Sequence, residues 1–366
     1  MGATGPIRVL VCDDSPAARG LLARVLSDVP AVELQPMVAS GPDALARIRD
    51  DRPDLLLLDL QMPGFDGLAT LAALRRFDRR LPVIVFSSFV GEGARATFDA
   101  LARGAHDCVH KPSDARGPSE AIERIRAALV PKVRALTARA SRGTPSPELS
   151  SPRALRAPRA SVVPRSAPRP SRAAFEVLAL GASTGGPRAL MSLLAALPRP
   201  FPVPVLVTQH MPSAVIPVFA RRLGAPGAFE SAEARHGERL RPDRIYVAPG
   251  DHHLTVAGGR VCLDRGPEEH GCRPAVDPML RSLARAHGAG VLAAVLTGMG
   301  TDGADGAEAV RAAGGTVLAQ DADSALVYGM PRAVARRGAA DAIVALDDMA
   351  AEIARLVGAR ASVAAV

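Results

Sequence analysis

Short apolar runs alternate with amphipathic stretches along most of the chain. In the first third the runs fall at 8–12, 32–38, 55–59, 83–87 and 107–110. They are rich in Val and Leu and show little polar alternation, so they read as strands buried on both faces. Between them apolar residues recur at helical spacing near 16–27, 42–50, 68–77 and 92–103, with a last period near 119–129. Strand and helix in alternation predict an α/β fold, a parallel sheet covered on both faces by right-handed crossovers.

The pattern resumes further on. Strands are expected at 177–180, 203–208, 244–247, 291–296, 316–318 and 342–345. Helices are expected near 187–197, 213–223, 277–287, 303–313, 330–337 and 347–358. The runs 254–256 and 261–263, joined through Ala257, Gly258, Gly259 and Arg260, predict a hairpin. Between the two patterned parts, residues 131–172 hold eight prolines, nine arginines and one lysine against a single acid, Glu148. Such composition buries too little surface to fold, so it reads as a flexible linker. The expected organisation is a domain at 5–130, a linker at 131–172 and a larger α/β domain with a mostly parallel sheet at 173–360.

A length of 366 residues agrees with two domains. Aromatic residues are 3% and Trp is absent, so the cores must be built from Ala, Val and Leu. No apolar run approaches the ~20 residues that span a bilayer, and the N-terminus lacks a signal-peptide pattern. A cytoplasmic protein without membrane insertion is expected. Cys12, Cys108, Cys262 and Cys272 form no CxxC, which suits reduced thiols. Cys262, His270 and Cys272 match no standard zinc spacing. The net charge of +8 belongs to the linker, and the folded parts are near neutral. No helix-turn-helix or zinc pattern stands beside that stretch, so nucleic acid is not an expected partner.

Chemistry concentrates at strand ends. Asp13 and Asp14 end the first strand, Asp59 the third and Ser87 the fourth, while Lys111 follows the fifth. In a doubly wound sheet these positions converge. Carboxylates about 4 Å apart repel by about 4 kcal/mol at an effective dielectric of 20, so three of them call for a cation. Oxygen-only ligands favour Mg²⁺. The metal, hydroxyl and ammonium form a cradle for a phosphoryl group on Asp59. The Lys111–Pro112 step suits a tight turn, with a cis peptide bond as one form of it. Val-Cys-Asp-Asp-Ser-Pro, Leu-Asp-Leu-Gln-Met-Pro-Gly-Phe-Asp-Gly and His-Lys-Pro resemble a response-regulator receiver domain. That resemblance implies a flavodoxin-like sheet of order 2-1-3-4-5 and phosphorylation of Asp59 by a histidine kinase. It implies Mg²⁺ held by Asp13, Asp14, Asp59 and the Gln61 carbonyl, with Ser87 and Lys111 on the phosphoryl group. Cys108 stands where receivers often carry an aromatic residue.

A second constellation lies in the later domain. Gly-Ala-Ser183-Thr-Gly-Gly-Pro falls between a strand and a helix. It formally fits G-x-S-x-G, and also a phosphate-binding loop or a plain helix cap. His210 directly follows the strand at 203–208, and Asp302 lies in a Gly-rich turn after the strand at 291–296. A nucleophile, a base and an orienting acid thus meet at three strand ends. Their order, Ser–His–Asp, disfavours the α/β-hydrolase fold, where the acid precedes the His. His252, His253, His270 and His287 close no expected parallel strand.

Gly-Ala-Ser-Thr-Gly-Gly, Thr-Gln-His-Met-Pro, Tyr-Val-Ala-Pro-Gly-Asp-His-His, Arg-Pro-Ala-Val-Asp, Leu-Thr-Gly-Met-Gly-Thr-Asp-Gly and Tyr-Gly-Met-Pro resemble the catalytic domain of the chemotaxis protein-glutamate methylesterase family, CheB. The resemblance implies Ser183 as nucleophile, His210 as base and Asp302 as orienting acid, with Thr184 and Met299 beside the reacting carbonyl. Asp305 falls off the motif position. It further implies chemoreceptors as substrate, demethylation of their glutamate methyl esters, deamidation of receptor glutamines and no cofactor for the esterase. The two sites together suggest that the first domain shields the catalytic face until Asp59 is phosphorylated. The competing readings are a receptor-binding scaffold without esterase activity, a receiver-controlled hydrolase of small esters, and a DNA-binding regulator.

Overall fold

The computed structural model describes residues 5–88, 91–112, 115–140, 174–224 and 229–364. The chain divides into two compact units, Met1–Glu148 and Leu149–Val366.

In the first unit, β1 (Ile7–Cys12), β2 (Val32–Leu34), β3 (Leu55–Leu58), β4 (Val83–Ser87) and β5 (Asp107–His110) alternate with α1 (Pro16–Ser27), α2 (Gly41–Asp50), α3 (Gly67–Phe77), α4 (Glu92–Ala102) and α5 (Pro118–Ala140). The strands form one parallel sheet of order β2-β1-β3-β4-β5, as expected. Val9 to Val11, Leu55 to Leu58 and Val83 to Val85 are buried, which is why their runs show no alternation. Ser15, Ser40 and Asp66 cap the first three helices by accepting the amides of Ala18, Asp43 and Ala69.

Two boundaries differ from expectation. β2 stops at Leu34, and beyond it only an isolated bridge joins Val38 to Cys12. The last helix, expected to end near 129, runs to Ala140 with Pro131 inside it. The expected linker therefore begins within a helix. Proline deletes one helical N–H, but tertiary contacts hold the next turns. Val133 and Leu136 are buried, and Lys132 Nζ lies 2.6 Å from Asp107 Oδ1 and 2.9 Å from the Cys108 carbonyl. Proline and arginine content masked this apolar face. Residues 141–172 of the expected linker lie outside the described residues.

In the second unit, β6 (Val177–Ala182), α6 (Gly186–Ala196), β7 (Val205–Gln209), α7 (Ile216–Leu223), β8 (Glu230–Glu233) and β9 (Arg244–Val247) come first. The hairpin β10 (His253–Ala257) and β11 (Arg260–Asp264) follows, then α8 (Val276–His287). β12 (Val291–Val295), α9 (Ala304–Ala312), β13 (Thr316–Gln320), α10 (Met330–Arg336), β14 (Ala342–Val344) and α11 (Leu346–Ala364) complete it. The last helix passes the expected domain end at 360. Seven strands make a parallel sheet of order β14-β13-β12-β6-β7-β9-β8. β8 was not expected, because Glu-Ser-Ala-Glu has no apolar run. It is an edge strand, and Glu230 pairs there with Arg241 and Arg244. The hairpin and α8 share one core with the sheet through Leu254, Val256, Val261, Met279 and Leu283.

After β6 the chain builds one side of the sheet, then returns through β12 to build the other. The crevice between β6 and β12 is therefore the topological switch point, where ligands of open α/β sheets bind. No helix among the described residues is long and apolar enough to cross a membrane.

Candidate functional site

The acidic pocket of the first unit forms as expected at the carboxyl ends of β1 and β3. Asp13 and Asp59 are 1% and 3% exposed, and Asp14 is partly exposed. One carboxylate oxygen from each of the three falls within a 4.8 Å cluster. Lys111 Nζ bridges two of them, 2.7 Å from Asp13 Oδ2 and 2.8 Å from Asp59 Oδ2. Burial pushes the Asp13 carboxyl above its ordinary range, and Lys111 pulls it back only in part. One ammonium cannot balance three carboxylates, so the donor set fits a divalent cation with oxygen ligands. The Gln61 amide donates to Asp59 Oδ1 at 3.2 Å, which places Gln61 beside the acceptor. Ser87 is fully buried, and its hydroxyl donates to the Ser88 carbonyl rather than to Asp59. Cys108 is buried inside β5, and burial pushes its thiol up to about 12. Among the described residues the cis peptide bonds precede Pro200 and Pro274, so Lys111–Pro112 is trans.

In the second unit, Ser183 leaves β6 at a sharp turn. Gly185 takes φ +79°, which favours glycine, and Pro187 lies in the first turn of α6. The Ser183 amide donates to the Thr297 carbonyl at 3.0 Å, and its carbonyl accepts the Gly186 amide at 2.7 Å. His210 directly follows β7, with its amide bonded to the Ala182 carbonyl at 3.0 Å. Its Nε2 meets Asp302 Oδ2 at 2.7 Å. Asp302 itself is 1% exposed.

The surroundings of Asp302 explain its charge. Oδ2 also accepts the Val276 amide at 2.6 Å, and Oδ1 accepts the Asp277 and Gly303 amides at 2.9 and 2.8 Å. Val276 and Asp277 open α8, and Gly303 caps α9. All four lone-pair sites are thus filled, three of them by amides at helix N-termini. Burial opposes ionisation, but the His210 contact and these amides hold Asp302 below the usual carboxylate range. For His210, burial works against the charged form. Its hydrogen bonds to Asp302 and to the Cys272 side chain outweigh burial and raise the imidazole to about 9.

His210 and Asp302 are therefore brought together. Ser183 Oγ has no hydrogen bond to His210 among the described residues; the Gln209 side-chain amide donates to both of their carbonyls instead. Thr184 is buried beside the turn, with its carbonyl accepting Thr297 Oγ1 at 2.8 Å. Met299 is 36% exposed on the turn that leads to Asp302. Asp305 is exposed and pairs with Arg337, away from the His210 ring.

Sequence reasoning missed a second His–Asp pair. His270 Nε2 lies 2.7 Å from Asp277 Oδ2 and 3.9 Å from Asp302 Oδ1. Asp277 is fully buried, and its Oδ1 accepts the Gly306 amide at 2.6 Å. Burial raises its carboxyl, with the Asp302 charge adding to that rise. The signal was Asp277 in Arg-Pro-Ala-Val-Asp, a motif to which no role was given. One donor atom from each of His270, Asp277 and Asp302 falls within 4.8 Å, as in a metal site. In the structure these groups are joined by hydrogen bonds, His270 to Asp277 and four donors to the Asp302 carboxylate. Gln209 and Cys272, both in contact with His210, were also missed.

Residues 9–124 match the response regulator receiver domain family, and residues 178–353 match CheB methylesterase. A protein-glutamate methylesterase/protein-glutamine glutaminase of Nocardioides sp. is 43% identical over 95% of each chain. One of Paramagnetospirillum magneticum, named protein-glutamate methylesterase/protein-glutamine glutaminase 1, is 38% identical over 98% of each. The crystal structure of the Thermotoga maritima CheB methylesterase catalytic domain is 38% identical with a TM-score of 0.48, covering 50% of this chain and 99% of that one. A receiver domain joined to a parallel α/β catalytic domain defines a response regulator with its own effector. The chain belongs to the CheB methylesterase family, in its receiver-bearing form.

Proposed function

We propose that this protein removes methyl groups from glutamate methyl esters of chemoreceptors and deamidates receptor glutamines, under control of phosphorylation at Asp59 by a chemotaxis histidine kinase. The observation that carries the reading is the 2.7 Å His210–Asp302 pair at the switch point, one strand end from Ser183. Ser183 Oγ attacks the side-chain carbonyl. Asp302 occupies Nε2, so Nδ1 of His210 takes the serine proton. Asp302 fixes the ring tautomer and stabilises the imidazolium. The oxyanion is met by backbone donors, assigned to Thr184 and Met299, each worth about 3–4 kcal/mol in such sites. The proton passes from His210 to the departing methoxide, and methanol leaves. Water then attacks the acyl-serine and gives a proton to His210, which passes it to the departing Ser183 Oγ; the freed glutamic acid ionises to the carboxylate. With glutamine, ammonia leaves in place of methanol.

In the receiver, Asp13, Asp14, Asp59 and the Gln61 carbonyl would hold Mg²⁺, which supplies positive charge for phosphoryl transfer. Lys111 is assigned to the phosphoryl oxygens of modified Asp59, a role supported by its 2.8 Å contact with Asp59 Oδ2. Ser87 is assigned the same task, which requires its hydroxyl to turn from the Ser88 carbonyl.

The test is methanol release from membranes carrying methylated chemoreceptors, with and without a small-molecule phosphodonor and Mg²⁺. Release that rises with phosphodonor and loses that rise in Asp59→Ala supports the esterase and its switch. Release indifferent to phosphodonor removes the switch. No release from a chain phosphorylated on Asp59 overturns the esterase.

A further inference from the structure

Gln209 ends β7 and is 2% exposed. Its side-chain nitrogen donates to the Ser183 carbonyl at 2.9 Å and to the His210 carbonyl at 2.8 Å. Both protons of one amide group are thus committed to the residues assigned as nucleophile and base. Ser183 Oγ and the His210 ring share no hydrogen bond, so their separation depends on the backbone that carries them. Two backbone bonds, from Ser183 to Thr297 and from His210 to Ala182, hold each residue to a neighbouring strand end. Gln209 joins the two residues to each other.

The other half of this side chain carries a cost. Gln209 Oε1 is buried without a hydrogen-bond partner. An apolar side chain of equal size would avoid that orphaned acceptor. The opening of α6 also makes room for the amide. A Cβ at Gly186 would sit 2.0 Å from Oε1 and 2.7 Å from the Ala182 Cβ. A fit this tight around an imperfectly satisfied group points to a task for the donor end.

We propose that Gln209 is a positioning residue for the hydrolysis, a clamp that sets the approach of Ser183 to His210 through their carbonyls. The proposal rests on the roles given above to those two residues. Its test compares full-length wild type with Gln209→Met, which keeps the volume and removes both donors. The readouts are methanol release and the labelling rate of Ser183 by a fluorophosphonate, which needs no receptor. Geometry lost by about 1 Å costs about 100-fold, so kcat and the labelling rate should both fall by that order. KM should stay within about twofold, because the clamp does not touch substrate. The pH dependence should keep its midpoint, since His210 keeps Asp302. Gln209→Asn retains the donor on a shorter stem, and should show a smaller loss in kcat alone; it serves if the Met variant does not fold. A folded variant with wild-type kcat, or with a change in KM alone, overturns the clamp. A wild-type chain that neither releases methanol nor labels at Ser183 overturns the functional reading and the clamp with it.

Discussion

Asp302 Oδ2 receives His210 Nε2 at 2.7 Å and the first amide of α8 at 2.6 Å. The carboxylate is aligned on one side by the imidazole and on the other by a helix start. Its charge is built into the resting fold, before any substrate arrives.

Asp302→Asn should test this arrangement. The new NH₂ group would face backbone donors where an acceptor is required, and the His210 tautomer would no longer be set. A loss of about 10⁴-fold in kcat is expected from the tautomer effect alone. Methanol release at saturating phosphodonor measures it, and activity within tenfold of wild type would refute the orienting role.

The pH dependence follows from the same pair. His210 is raised from 6.5 to about 9, and in the proposed mechanism its neutral form is the base. Esterase activity should therefore climb as pH rises towards about 9. Stability runs the other way. A raised imidazole contributes fully below pH 6.5, and that contribution is lost as pH climbs through about 9. Asp302, held low, contributes above the ordinary carboxylate value of 3.8 and loses its contribution as pH falls through its depressed one. Rate profiles and urea midpoints across pH should show the two trends opposed. Parallel trends would refute the assignment.

Lys111→Met should expose the charge balance of the receiver pocket. The variant leaves Asp13 and Asp59 buried without their shared cation. Removing one partner of a buried pair costs up to about 3–5 kcal/mol, and the partial exposure of Lys111 puts this case at the lower end or below. Mg²⁺ should recover more stability in the variant than in wild type, read as thermal midpoints with and without the metal. Equal Mg²⁺ effects would mean that the cluster does not hold the ion.

Asp277→Ala removes the acceptor for the Gly306 amide and for His270 Nε2. The buried Gly306 amide left unsatisfied costs about 1–3 kcal/mol, while the exposed His270 turns to water. Equilibrium denaturation should show a loss of that order, with a fall in kcat as the first turns of α8 and α9 loosen around Asp302. Unchanged stability would show that the second His–Asp pair contributes nothing to holding the helix starts together.

Much of this molecule was legible because its strands are buried on both faces. Leu55 to Leu58 could be nothing but a central strand, and strand ends then located Asp59, Ser183, His210 and Asp302. Glu230 to Glu233 escaped because an edge strand bonded through its backbone needs no apolar signature. The turns of α5 past Pro131 escaped because two buried residues hold them against an unfavourable composition. His270 and Asp277 meet across a loop whose path no local pattern encodes. Gln209 was in view within Thr-Gln-His-Met-Pro, but its two carbonyl partners belong to the backbone and leave no trace in residue type.

The three amides on Asp302 have a consequence for how this site can vary. No single substitution removes a backbone N–H, other than one to proline. Side chains around the acid could therefore change widely while its position and charge persist. The loop from Gly266 to Ala275 and the turn from Gly298 to Gly303 are different, since a residue gained or lost in either would shift a helix start away from the carboxylate. The acid should be tolerant of altered spelling and intolerant of altered length.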